Sequence, residues 1–549
     1  RGHNLAEARS RGDGDGDGGI HPPQSITMAS SSSAGKWWKV EETLVHLPGL
    51  LGEHPASGHT YLTPVDLHPL PRNAVIGWAL LYDEPVDEEN FKEALSHTLV
   101  DYPVVAGRFA GPAVIRHNNA GVPLVICKDT RRSAEVSNGG SFILQVDAPS
   151  SFSLKKDSGF PSLLNPMRLR QVYRGREAAV SFRLTRLACG GTVLGVTATH
   201  ALVDGSSLCR LLMSLSLAYR GLDRPAPYLD RRCLTCQPIA SLLTDGERGA
   251  MAEEKMATAA AVAASLSGRV QPLGSEVEAP CRPLVQDSLS VWQSLKFLGR
   301  VAWGALRGAR GVGEVVARIS PREIEACKRA AGGASRISKN DVAAAFAWTL
   351  LRKMQGSMGL LRGTDREQRA RMLLAADLRR GGRCEGLPSE YFGNAALAVE
   401  VEMETGAAED AAGAMMTLPL AAAAIRSAVS ALKPEMTKRI MRSVWTACQA
   451  SALGRLPALV SSLPCYHDCL ITSWQFPLRE LDFGAGDPVG FFPGVLPRCP
   501  WTAVVLADGA GGGGALVHMT LPSEACDLLR RDPRLTAHLG NAEILQNTG

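Results

Sequence analysis

His200-Ala-Leu-Val-Asp204-Gly205 is the grouping whose residue types and spacing propose a reaction in this 549-residue sequence. An imidazole can take up a proton near neutral pH, and a positioned one speeds proton transfer roughly 10²–10⁴-fold. The carboxylate four residues on has two readings. It orients the imidazole as the third member of a relay, or it fixes the turn through an ion pair. Gly190 to Thr199 holds no G-x-S-x-G nucleophile, which disfavours a hydrolase working through an acyl-enzyme. A histidine at a strand end is more often structural than catalytic, so the accompanying segments decide between these readings.

The elements that must position His200 are legible. Thr192 to Thr199 is a short apolar, β-rich run bounded by Gly190-Gly191. Ser206 to Arg220 carries Leu208, Leu211, Leu212, Leu215 and Tyr219 at helical spacing, with Gly221 as a stop. The imidazole is therefore expected where a strand turns into a helix. Upstream, Asn73 to Tyr82 reads as a strand and Asp87 to Asp101 as a helix. Val114 to Ile126 reads as two strands, Phe142 to Val146 as another, and Ala178 to Leu187 should pair with Gly191 to Thr199 as a hairpin.

Residues 1–35, with a Gly-Asp repeat, cannot bury apolar area and are expected to be disordered. Met28 resembles a translation start, with no signal-peptide core after it. A first domain over 36–221 is followed by a crossover, 222–313, with helices expected at Met251 to Leu266 and Val291 to Leu306. A second domain covers 314–549. It opens with a strand at Glu314, a Ser320-capped helix and a second helix after Ser338. Strands follow at Met372 to Leu378, Leu470 to Trp474, Thr502 to Leu506 and Ala515 to Thr520, with helices at Ala407 to Lys433 and Lys438 to Leu453.

Further segments fall in a recognisable order: Tyr102-Pro-Val-Val-Ala-Gly-Arg108, Ser338-Lys-Asn-Asp341, Asp377-Leu-Arg379, Tyr391-Phe-Gly-Asn394, Thr472-Ser-Trp474 and Asp482-Phe-Gly-Ala-Gly486. Together with His200 and Asp204 they make the chain from Trp37 onward resemble the BAHD family of acyl-CoA-dependent acyltransferases, closest to its hydroxycinnamoyltransferase-like members. That resemblance implies an α/β (α+β) architecture of two chloramphenicol-acetyltransferase-like domains, each a mixed sheet with flanking helices, sharing a channel with His200 near its midpoint. It implies that His200 acts as general base for direct attack of a hydroxyl or amine on the thioester.

The resemblance also favours a structural role for Asp204 and Gly205, the cation coming from Lys339, Arg336 or Arg379, with Lys339 preferred. Trp474 reads as a core indole or, by the resemblance, as an oxyanion donor, with Thr472 contacting the acceptor. Asp482, Phe483, Gly484 and Gly486 are expected to support the fold away from the base. Ala485 departs from the tryptophan usual there. Leu459 and Val460 stand where a shikimate-binding arginine would lie, so shikimate is not the expected acceptor. The competing readings are a condensation-domain-like enzyme, which usually has a second histidine where Thr199 stands, and a degenerate binding protein on the same fold.

Hydrophobic residues make up 45% of the chain and charged ones 21%, as in an ordinary globular protein. A net charge of +5 without a basic stripe gives no case for nucleic acid. No apolar run reaches membrane-spanning length. Thirteen scattered cysteines suggest reduced thiols, and Cys233-x-x-Cys236 lacks the second pair a zinc site needs. The expectation is a cytoplasmic monomer that holds no permanent cofactor or metal, takes acyl-CoA as co-substrate and meets a small-molecule acceptor.

Overall fold

The computed structural model describes residues 37–48, 58–111, 113–130, 163–234, 312–331, 337–361, 369–404, 417–438, 440–441, 467–496, 499–507, 513–532, 535 and 543–548. Several expected features lie outside them: the 1–35 segment, the Phe142 strand, both crossover helices, Arg336, Leu459 and Val460. So do parts of the Ala407 and Lys438 helices.

Two sheets carry the chain. The first is built from β1 (Trp37–Val45), β3 (Val75–Tyr82), β6 (Val122–Asp129), β7 (Val180–Arg186), β8 (Thr192–Thr199) and β13 (Gly490–Leu496), in the order β1-β6-β7-β8-β3-β13. β8 is buried at every position between its antiparallel partners β7 and β3, which accounts for apolar residues on both of its faces and for the absence of charge. A small side sheet joins β2 (His59–Tyr61), β4 (Arg108–Phe109) and β5 (Val114–Arg116).

Three helices of this half bear on the site. Helix α1 (Pro64–Leu67) is one turn closed by a Thr63/Asp66 capping box. Helix α2 (Glu88–Asp101) is capped by Asp87. Helix α3 (Gly205–Tyr219) is capped by Asp204, whose carboxylate accepts the Ser207 N–H. Helices α2 and α3 pack together and bury Phe91, Leu95, Leu208, Leu211 and Leu215 in one core.

The second sheet orders β11 (Ala396–Glu404), β10 (Arg369–Asp377), β12 (Cys469–Trp474), β14 (Thr502–Ala507), β15 (Ala515–Pro522), β9 (Val312–Ile319) and β16 (Glu543–Thr548). Helices α4 (Pro321–Ala330) and α5 (Lys339–Ser357) both begin with Ser-x-x-acid capping boxes, as their sequences indicate. Helix α5 is buried along most of its length and packs against α6 (Leu418–Ser430). The architecture is the expected mixed α/β pair of sheet-plus-helix units.

One connection was not anticipated. β13 comes from the second half of the sequence yet pairs antiparallel with β3, extending the first sheet. Its Pro493 removes a backbone donor, and the strand sits at the sheet edge, where such a loss is tolerated.

Candidate active site

His200 is the first residue beyond β8. Its backbone N–H donates to the Ala74 carbonyl at 3.0 Å, tying it to the residue before β3. The ring is half-buried, and its Nδ1 lies 3.0 Å from Oδ1 of Asn394. Burial holds the imidazole pKa below its ordinary value, against opposing pulls from its own backbone carbonyl, Asp204, Asn394 and Asp66.

Asp204 makes no hydrogen bond to that imidazole among the described residues. It faces Arg379 instead: Nη1 donates to Oδ2 at 2.9 Å and Nη2 to Oδ1 at 3.1 Å. The Ala395 and Ser207 N–H groups also donate to the carboxylate. Burial would raise this carboxyl; Arg379 and the two backbone donors outweigh it and hold the pKa low. Arg379 further donates to Asp377 Oδ1, the Ser207 hydroxyl and the Tyr391 and Gly393 carbonyls. The preference for Lys339 is corrected. It is the first residue of α5, whereas Arg379 lies two residues past β10 and makes the contact.

Asn394 joins a third segment. Its Nδ2 donates to the His200 carbonyl at 2.7 Å and to Asp66 Oδ1 at 2.8 Å, and its backbone N–H reaches the same oxygen at 3.1 Å. Asp66 Oδ2 accepts from Arg231 Nη1 at 2.6 Å and from the Thr63 N–H at 2.7 Å. Arg231 Nη2 also holds the Leu202 carbonyl. Gly393 has room for no side chain: a Cβ there would lie 3.0 Å from the Arg231 Cζ. Asp66, Arg231 and Asn394 were not singled out from the sequence. The Thr63-Pro-Val-Asp66 capping pattern and the Tyr391-to-Asn394 block were the available signals.

Trp474 ends β12 and meets the first sheet. Its ring centroid is 5.5 Å from that of Trp78 on β3, and Phe476 completes the cluster. A Cβ on Gly205 would lie 2.9 Å from Phe476 Cζ and 3.6 Å from Trp474 Nε1, so only glycine fits under these rings. Among the described residues the Trp474 N–H has no hydrogen-bond acceptor. Thr472, on the same face of β12 and two residues back, is partly exposed. The seam thus gathers His200, Asn394, Arg379 and Trp474 from both sheets.

The Asp482-to-Gly486 motif lies elsewhere. The Ser216 hydroxyl donates to the Asp482 carbonyl at 2.6 Å, and Phe483 is fully buried among Tyr82, Phe91 and Tyr219. Asp482 Oδ1 accepts the Gly486 N–H, and Gly484 and Gly486 have φ of 74° and 73°, a conformation that suits glycine. The motif locks the far end of α3, about 22 Å of helix from the Asp204 cap. Ala485 packs against the same core. No helix among the described residues is long and apolar enough to cross a membrane.

Residues 79–238 and 314–536 match the Transferase family, and the chain belongs to that family, the BAHD acyltransferases. Vinorine synthase of Rauvolfia serpentina is 25% identical over 154 residues, 27% of this chain and 34% of that protein, so this match spans about a third of its length. A hydroxycinnamoyltransferase of Narcissus pseudonarcissus is 23% identical over 458 residues, covering 80% of this chain and 85% of that protein. The vinorine synthase structure shares the fold at a TM-score of 0.58 and 16% identity, over 91% of this chain and 98% of that one. F. graminearum TRI101, complexed with coenzyme A and deoxynivalenol, also gives 0.58 at 16% identity, over 89% and 100%.

Proposed function

We propose that the protein transfers an acyl group from an acyl-CoA to a hydroxyl or amine of a small-molecule acceptor, with His200 as general base. Family membership supports the acyl transfer, and the coenzyme A in the TRI101 complex supports the donor. The observation that carries the residue-level reading is the division of labour around His200. Asp204 is committed to Arg379, while burial lowers the imidazole pKa and so favours its neutral, proton-accepting form.

In this mechanism Nε2 takes the acceptor's proton as its oxygen or nitrogen bonds to the thioester carbon. The tetrahedral oxyanion that results would be met by the Trp474 N–H, a donor of a kind worth ~2.7–4 kcal/mol when preorganised. Collapse breaks the C–S bond, and the imidazolium returns its proton to the departing CoA sulfur. Thr472 borders the acceptor, and the two sheet units act as domains that face a shared channel.

The test is release of free CoA thiol from a panel of acyl-CoAs with hydroxyl and amine acceptors, with products identified by mass spectrometry. Acceptor-dependent thiol release with one acylated product is expected. Thiol release independent of every acceptor would point to a thioesterase and overturn the proposal.

A further inference from the structure

We propose that Asn394 is the positioning residue of His200: its amide fixes the imidazole with its proton on Nδ1 and leaves Nε2 as the bare nitrogen that accepts the acceptor's proton. This rests on the general-base reading above and adds to it how the base is kept in its working tautomer.

The Asn394 amide can be oriented in one way. One of its terminal atoms lies 2.7 Å from the His200 carbonyl oxygen and 2.8 Å from Asp66 Oδ1. Both neighbours are acceptors, the carboxylate being paired with Arg231, so that atom must be the NH₂ group. The other terminal atom is then the carbonyl oxygen, and it is the one 3.0 Å from His200 Nδ1. A carbonyl oxygen only accepts, so Nδ1 must carry the hydrogen in a neutral ring. The bare lone pair is left on Nε2.

The amide cannot easily turn over. A flip would set its NH₂ against the ring and its oxygen against both a carboxylate and a carbonyl. Asp66 is itself held by Arg231 and the Thr63 N–H, and Arg231 by the Leu202 carbonyl. Asp66, Arg231 and Asn394 are 0%, 5% and 2% exposed, so water offers little competition.

The arrangement explains how a histidine without a carboxylate partner can still work as a base. In a serine-protease triad a carboxylate fixes the tautomer and also favours the imidazolium. Here a neutral amide fixes the tautomer with less pull toward the charged form. That suits a base that must stay unprotonated until the acceptor arrives.

The experiment is ¹⁵N NMR of the full chain with labelled histidine, run alongside steady-state kinetics. His200 signals are assigned as those missing from His200→Ala. In the wild type Nδ1 is expected to show as protonated and Nε2 as bare. Asn394→Leu, similar in size but without the acceptor, should move part of the proton to Nε2, since only the ring's own backbone carbonyl is left to favour Nδ1. It should also lower kcat by between about tenfold and about 10⁴-fold, the upper figure being the cost of the wrong tautomer in a triad, while KM for acyl-CoA changes little.

Asn394→Ala removes the same acceptor with less steric demand and should likewise weaken the preference for a proton on Nδ1 and lower kcat. This second variant carries the test if the leucine variant folds poorly. Wild-type His200 protonated on Nε2 would overturn the proposal, as would Asn394→Leu with an unchanged tautomer and unchanged kcat. Loss of the tautomer bias in Asn394→Leu supports it even if His200→Ala keeps turnover, in which case the general-base reading alone fails.

Discussion

Arg379 closes its two terminal nitrogens on the two oxygens of Asp204, at 2.9 and 3.1 Å, joining the end of the second sheet's β10 to the helix cap beside His200. Both side chains are nearly buried, at 4% and 6% exposed. The carboxylate that the H-x-x-x-D-G spacing offers to His200 therefore serves as a clasp between the two halves of the site.

Asp204→Asn should lower stability and activity together, because it leaves a buried guanidinium partly unpaired. Breaking such a pair typically costs ~3–5 kcal/mol. Arg379→Lys should lose much of the same stability, since an ammonium cannot reproduce the two-pronged contact. Denaturant melts beside kcat are the check. A fall in kcat with an unchanged denaturation midpoint would mean a triad carboxylate instead.

Gly205→Ala should destabilise by roughly 1–3 kcal/mol through overpacking against the Phe476 ring. Gly205→Ala with Phe476→Leu should recover part of that loss. Chemical denaturation of both singles and the double measures the coupling, and strict additivity would show that the ring is not the obstacle.

Stability should also depend on pH through His68, whose burial lowers its pKa from 6.5 to about 4. Between those values the unfolded chain binds a proton that the folded chain does not. This contribution is complete above about pH 6.5 and is lost as pH falls toward about 4. His68→Gln should flatten that part of a stability–pH curve measured by urea melts.

Phe483→Ala should cost ~3–5 kcal/mol, the usual range for deleting a buried phenyl ring. Its site is the far end of α3, so kcat and KM of the folded fraction, assayed well below the melting temperature, should stay near wild type. A selective loss of kcat with intact stability would tie the Asp482-to-Gly486 motif to the chemistry.

Much of this arrangement could be read from the chain alone. The β8 run, the helix after Asp87, the boxes at Ser320 and Ser338, and the strand–turn–helix around His200 are local patterns, each set by neighbours within a few residues. β13 was illegible because Gly490, Pro493 and Gly494 interrupt any strand pattern, and its partner β3 lies some four hundred residues upstream. The choice between Lys339 and Arg379 depended on which end of which element abuts α3. The Asp66–Asn394–His200 chain joins three distant segments, and no local spacing announces it. The expected acyltransferase family could still be recognised because its separate blocks survive in order.

Turnover of His200→Ala, measured beside its fold and CoA affinity, tests whether His200 removes the acceptor's proton. The variant should fold with an unchanged melting profile, bind CoA with nearly wild-type affinity, and lose kcat by on the order of 10²-fold or more. Near wild-type turnover in a folded, CoA-binding His200→Ala protein would mean that another group removes that proton.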